Sequence, residues 1–140
     1  MKRDYPDRPI VGVGAVVVDE GRALVVRRGT EPLKGHWSIP GGAVELGETL
    51  REAAAREARE ETGLMVQAGE VVEVFDSIYR DPEGRTQFHY VLVDFICRPL
   101  GGELCAASDV SEARWITVQD LPELQMTQTA ERVIRKALQS

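Results

Sequence analysis

A chain of 140 residues, 43% hydrophobic and 29% charged, fits one compact domain and carries no compositional sign of disorder, a collagen-like repeat or a bilayer span. Its net charge of −6 argues against nonspecific binding to a nucleic-acid polymer, yet arginines and cations clustered in a cleft still allow a small phosphorylated ligand. The two cysteines, Cys97 and Cys105, lie outside any Cys-x-x-Cys spacing, so they read as reduced thiols packed as small apolar groups, with no disulfide framework or zinc site.

In chain order, residues 1–9 mix charges with two prolines and lack the apolar stretch of a signal peptide. The longest apolar run, Val13 to Val18, is too short for a bilayer, so the expected location is cytoplasmic, without a membrane partner. Two valine-rich runs, Val11 to Val18 and Arg22 to Arg28, flank Asp19-Glu20-Gly21 and predict a hairpin. Gly29 to Gly42 reads as a loop, because Pro32, Gly35, Pro40 and the pair Gly41-Gly42 mark irregular backbone. Thr49-x-x-Glu52 is a capping box that begins a helix through Glu61, stopped by Gly63. Val66 to Tyr79 and Gln87 to Arg98 form a second predicted hairpin around Asp81-Pro82-Glu83-Gly84. Arg114 to Val118 reads as a short strand, and Thr127 to Leu138 as an amphipathic closing helix. Strands with one inserted and one closing helix predict an α/β fold, a mixed β-sheet sandwiched between helices in a single domain spanning 1–140.

The chemistry concentrates on the inserted helix. At about 100° per residue, Glu57, Glu60 and Glu61 fall within one quarter turn, on the half that also holds Leu50, Ala53, Ala54 and Ala58. Arg51, Glu52, Ala55, Arg56 and Arg59 take the other half, so the three glutamates are expected to face the protein body. Carboxylates crowded and desolvated in this way repel one another unless a cation joins them. With oxygen ligands alone, that cation is a hard one, Mg²⁺ or Mn²⁺. The helix by itself equally fits a solvated acidic face paired with Arg56 and Arg59. Gly41-Gly42, able to bring backbone close to a ligand, and Glu48, a fourth carboxylate just ahead of the helix, favour the metal reading.

Gly42-Ala-Val-Glu-Leu-Gly-Glu48, followed after seven residues by Arg56-Glu-Ala-Arg-Glu-Glu-Thr-Gly-Leu64, resembles the Nudix box at every defining position, with Ala58 smaller than usual at one apolar site. The box covers about a sixth of the chain. The surrounding strands and closing helix also look like the Nudix-type α/β/α sandwich.

The resemblance implies a hydrolase that uses Mg²⁺ or Mn²⁺ to cut a diphosphate linkage in a small nucleoside diphosphate derivative. It implies Glu57, Glu60 and Glu61 as metal ligands, Glu48 as a ligand or a partner of one, and a carbonyl near Gly41 or Gly42 as a further contact. Glu60 counts with Glu57 among the catalytic groups, while Arg56 would orient a glutamate and Gly63 end the helix. Nudix enzymes recruit the general base from the box, where Glu57 is the candidate, or from a loop outside it, where Asp109 and Glu112 stand just before Arg114-Trp115. Each loop residue also fits a solvated carboxylate. Arg27 and Arg28 end a strand, so alternation lets one face a phosphate in the cleft. Trp37 and Phe88 could serve as platforms for a base, although an aromatic near a loop is more often packing than platform. The segment from Gln87 to Phe95 is similar to a strand in Nudix proteins labelled ADP-ribose pyrophosphatases, which makes ADP-ribose the expected substrate. A nucleoside triphosphate pyrophosphohydrolase and a non-catalytic nucleotide sensor are the alternatives, although a sensor typically lacks box glutamates. An interaction protein using the closing helix is a third reading, and the resemblance also implies a homodimer.

Overall fold

The computed structural model describes residues 2–31 and 33–139. The valine-rich runs form β1 (Ile10–Asp19) and β2 (Arg22–Arg28), joined where Glu20 and Gly21 both take positive φ, 51° and 77°. Two successive left-handed residues make the tight turn whose twist suits a hairpin. The segment expected to be a loop contains two short strands, β3 (Trp37–Ser38) and β4 (Gly41–Ala43). The inserted helix α1 (Leu50–Thr62) is followed by β5 (Leu64–Arg80) and β6 (Thr86–Gly102), both longer than the β-branched runs suggested. Strand β7 (Val110–Ile116) starts four residues before the predicted Arg114, because β2 offers it a ladder from Ala23↔Ile116 to Arg28↔Val110. A 3₁₀ helix at Val118–Glu123, unpredicted, leads to α2 (Gln128–Leu138), whose N-cap is Thr127.

The sheet is mixed. Strand β1 runs parallel to β6 over Ile10–Val17 and antiparallel to β4 over Gly12–Gly14, while β2 carries β3 and β7. The path is β3-β2-β1-β6-β5, with β4 on β1 and β7 on β2. Alternation along β1 divides the core between the two faces. Val13, Ala15 and Val17 join Leu24, Val93, Phe95 and the α1 residues Ala53, Ala54 and Ala58. Val16 joins Val25, Ile116, Leu121 and the α2 residues Val133, Ile134 and Ala137 on the opposite face. The predicted layering of helices on either side of a mixed sheet is therefore present. Fully burying Ile134 or Val133 contributes roughly 1.5–3 kcal/mol each.

Of the two thiols expected to pack as apolar groups, only Cys97 is buried, and burial pushes it up to about 12. Cys105 is exposed in the segment after β6. No helix among the described residues is long and apolar enough to cross a membrane.

Candidate active site

Helix α1 is capped at both ends as its sequence requires. Thr49 Oγ1 accepts from the Glu52 N–H at 3.1 Å and Glu52 Oε1 accepts from the Thr49 N–H at 2.9 Å. Gly63 takes φ +78°, and its N–H donates to the Arg59 carbonyl. A Cβ at Gly63 would also stand 2.4 Å from the Glu103 carbonyl oxygen, so glycine meets two demands there. The buried face of the helix is made of alanines, whose small side chains let it lie close to the sheet.

That closeness forms the site. A Cβ on Gly42 would stand 2.5 Å from Glu57 Oε1, and the Gly41 N–H donates to Glu61 Oε1 at 3.0 Å. Strand β4, held by β1, thus presents bare backbone to two carboxylates from α1. Both are partly withdrawn from water, Glu57 retaining 14% side-chain exposure. Desolvation raises the Glu57 carboxyl, opposed by its bond from Arg56. Desolvation also pushes Glu61 up to about 8, with the charges of Glu57 and Asp109 adding to it and the Gly41 N–H and Arg28 opposing.

The helical projection erred on two residues. Arg56, placed on the outer half, turns inward and is 21% exposed. Its Nε donates to Glu48 Oε2 at 2.6 Å, Nη1 to Glu57 Oε1 at 2.9 Å and Glu60 Oε2 at 3.2 Å, and Nη2 to the Ala43 carbonyl at 3.0 Å and Glu48 Oε1 at 3.0 Å. A projection places only Cβ, whereas a long side chain with a planar fork of donors reaches round the helix. Glu60, expected to face inward, is half exposed at 50%. The four box carboxylates therefore separate into two groups. Glu57 and Glu61 meet the Gly41-Gly42 backbone, while Glu48 and Glu60 join Glu57 around Arg56. Bonding to Arg56, and then to the Glu45 N–H, holds the Glu48 carboxyl below its usual range.

Among the described residues no group of three His, Cys, Asp or Glu side chains stands ready-made as a metal-ligand cluster. The donor set nevertheless fits a hard divalent ion. It consists of oxygens only, two of its carboxylates are desolvated, and a backbone without Cβ lies against them.

The loop before β7 is tied to the helix that carries Glu61. The Cys105 N–H donates to the Thr62 carbonyl at 2.8 Å and the Ala107 N–H to the Glu61 carbonyl at 3.1 Å. The Gly29 N–H donates to the Asp109 carbonyl at 2.8 Å, which fixes the same loop to the end of β2. Both Asp109 and Arg28 come within electrostatic reach of Glu61. Of Arg27 and Arg28 only Arg28 turns toward Glu61, as the expected alternation requires, and the register shift beside them adds Ser111 on β7. Arg27 instead donates to the Gly35 carbonyl and faces Glu112 at 3.6 Å across the ladder, both side chains about half exposed. The structure thus gathers Asp109 and Arg28 beside Glu61 and leaves Glu112 and Arg27 paired at the surface.

The stacking role considered for Trp37 is not supported. The residue is 7% exposed within the α2-side core, and the Arg114 guanidinium lies 5.0 Å over its ring. Phe88 is half-buried near the turn of the long hairpin, its ring centroid 6.0 Å from that of Tyr79. One neighbour of the site escaped the sequence reading: Arg3 lies within electrostatic reach of Glu57. No local pattern marks it, because the N-terminal segment is positioned by contacts with the distant hairpin, where the Tyr5 hydroxyl donates to Asp81 Oδ2 at 2.7 Å and the Tyr5 N–H to the Gln87 carbonyl at 2.8 Å.

A family model described as the NUDIX domain matches residues 8–137. The chain belongs to the Nudix family. Among curated Nudix relatives, the ADP-ribose pyrophosphatase of Methanocaldococcus jannaschii is 39% identical over 116 residues, 83% of this chain and 66% of that protein. A MutT-like protein of Streptomyces ambofaciens is 34% identical, the match covering 79% of this chain and 64% of its own. The chain thus spans just under two thirds of the length of these relatives. Of solved structures, a MutT Nudix hydrolase from Burkholderia pseudomallei superposes with a TM-score of 0.78 at 28% identity, over 93% of this chain and 98% of that one. An ADP-ribose pyrophosphatase from Streptococcus suis gives 0.74 at 26%, over 94% and 91%.

Proposed function

We propose that this Nudix chain hydrolyses the diphosphate linkage of a nucleoside diphosphate derivative, ADP-ribose first among them, with Mg²⁺ or Mn²⁺ as cofactor. The observation that carries the reading is the placement of Glu57 and Glu61, drawn out of water by α1 against the bare backbone of Gly41 and Gly42. Two desolvated carboxylates at one backbone corner repel each other and favour a cation between them. Glu57 and Glu61 would hold the ion together with a carbonyl of the glycine pair, and Glu48 and Glu60 would be positioned by Arg56. Bound there, a divalent ion neutralises charge on the diphosphate oxygens and makes water easier to ionise.

The remaining roles fall to the chain's own side chains. Arg28 meets the negative charge of the substrate from the β2 end, as a guanidinium does for phosphate. Asp109, beside Glu61 on a loop fixed to the helix, accepts the proton of the attacking water, with Glu57 as the alternative base within the box. The preference for ADP-ribose draws on the relative from M. jannaschii and the structure from S. suis, both described as ADP-ribose pyrophosphatases. Family membership restricts reaction class more tightly than substrate.

The test is product analysis with Mg²⁺ on a panel of ADP-ribose, NADH, a dinucleoside polyphosphate, a nucleotide sugar and the nucleoside triphosphates. The expected result is ADP-ribose cut to AMP and ribose 5-phosphate, abolished by a chelator. Preferential release of pyrophosphate from a triphosphate would replace the substrate assignment. Binding without cleavage of any member, under either Mg²⁺ or Mn²⁺, would overturn the enzyme reading in favour of a sensor.

A further inference from the structure

Residues 2–9, ahead of β1, form no helix or strand, yet side chains and backbone tie them to the turn of the β5–β6 hairpin. The Tyr5 N–H donates to the Gln87 carbonyl at 2.8 Å and the Tyr5 hydroxyl to Asp81 Oδ2 at 2.7 Å. Gln87 Nε2 donates to Asp4 Oδ1 at 3.1 Å, and the Arg85 guanidinium lies 4.7 Å over the Tyr5 ring. Asp81 is itself held, for its Oδ1 accepts from the N–H groups of Glu83 and Arg85. Tyr5 takes φ +53°, a left-handed conformation that a residue with a side chain keeps only where its surroundings hold it. An irregular segment of this kind is ordered where it is tied down, and here the ties flank Arg3.

The register of β1 directs the segment to the proposed site. Strand β4 runs antiparallel to β1 with Gly12 opposite Ala43, and the Val44 N–H donates to the Val11 carbonyl at 3.0 Å. Residues ahead of Ile10 therefore leave the sheet at the same end as the loop from Glu45 to Glu48, where Arg56 gathers the glutamates. Arg3 is exposed there, within reach of the Glu57 charge. Its neighbours are engaged: Arg8 faces Asp7 at 3.7 Å, Arg85 faces Asp81 at 3.3 Å, and Arg56 bonds Glu48, Glu57 and Glu60. Arg3 makes no hydrogen bond or ion pair with a described residue, so the fold does not account for its place. Arg28 approaches Glu61 from the end of β2, and Arg3 approaches Glu57 from a separate element. A diphosphate carries charge on both phosphates, and this arrangement offers each a guanidinium.

We infer that Arg3 is a substrate-binding residue that donates to the phosphate on the Glu57 side of the diphosphate, with Arg28 on the Glu61 side, and that Tyr5 holds it in place by strapping its segment to the hairpin. This rests on the hydrolase reading proposed above and adds a second anchor for the substrate.

Calorimetry with α,β-methylene ADP, which cannot be cut at the bridge, measures nucleotide binding in the presence of Mg²⁺, and a separate titration measures Mn²⁺ without nucleotide. Arg3→Gln should bind the nucleotide on the order of tenfold more weakly, the loss of one charge-assisted bond to phosphate, and Arg3→Lys should recover part of that loss. Mn²⁺ alone should bind Arg3→Gln no more weakly than wild type, because removing a cation beside Glu57 favours a metal ion there. Tyr5→Ala should weaken the nucleotide in the same direction by releasing the strap, and melting temperatures report the folding of each variant. A wild type that does not bind the analogue, unchanged nucleotide affinity in Arg3→Gln or Tyr5→Ala, or a parallel loss of Mn²⁺ overturns the assignment. Cleavage of ADP-ribose separates this from the hydrolase reading. Arg3-dependent binding without turnover removes the hydrolase and keeps Arg3, whereas turnover with unchanged nucleotide affinity in Arg3→Gln does the reverse.

Discussion

The two helices flank the same sheet, each capped by a threonine, yet they bury different things. Helix α2 buries Val133, Ile134 and Ala137, and its cations Arg132 and Lys136 settle on Glu73. Helix α1 buries little more than alanine methyls and instead carries carboxylates against backbone. A helix that adheres by bulk stands off by the length of its side chains, while one faced with alanine approaches until its polar groups touch the strand beside it. Helix α2 thereby contributes bulk to its core, whereas on the α1 side the bulk comes from the strands, Phe95 and Leu24 among them, and the helix contributes the carboxylates of the proposed site.

Three variants bear on that division. The largest effect is expected from Glu61→Gln, which should lower kcat on the order of 10²-fold or more, the loss that accompanies several kcal/mol of metal-assisted charge stabilisation. Its melting temperature should not fall, since a desolvated carboxylate is being replaced by a neutral amide. A fall in stability parallel to the fall in activity would mean that α1 does carry the fold. Next, Ile134→Ala should destabilise the protein by about 2–5 kcal/mol in denaturant unfolding, with kcat per folded molecule unchanged. A loss of turnover in molecules that remain folded would show that α2 shapes the reacting groups directly.

The third concerns Asp94, between the two regions. Its folded carboxyl is raised above the ordinary 3.8 to about 6, so its favourable contribution is complete below the ordinary value and is lost as pH rises through about 6. A shift of this size corresponds to about 3 kcal/mol. The stability of Asp94→Asn relative to wild type should therefore increase across that window and level off above it. A difference independent of pH would show that the carboxylate is not withdrawn from water.

Where local chemistry dictates structure, the sequence was a sufficient guide. Thr49, Glu52 and Gly63 bound α1 because caps are made by residues adjacent in the chain, and the valine runs of β1 and β2 mark strands buried on both faces. Strand β7 was only partly legible, since Ser111 and Glu112 carry no apolar signal and its pairing comes from β2, more than eighty residues earlier. Within the site, the glutamates were found through their spacing. Arg56 was misplaced because its guanidinium acts several bonds away from the Cβ that periodicity tracks. Trp37 was legible as packing, the commoner role of an aromatic near a loop, and it anchors its glycine-rich stretch in the core. Asp94 gave no signal at all, because a lone acid in an apolar strand reads alike whether it meets water, a partner or neither.

The bonds from Cys105 and Ala107 to the last carbonyls of α1 have a mechanical consequence. The segment that carries Asp109 is pinned to the end of α1 two residues before it and to Gly29 at Asp109 itself. Drawing Asp109 away from Glu61 would unfasten the end of the helix that carries Glu61, so the two carboxylates keep step, and slow amide exchange at Cys105 and Ala107 should follow that of α1.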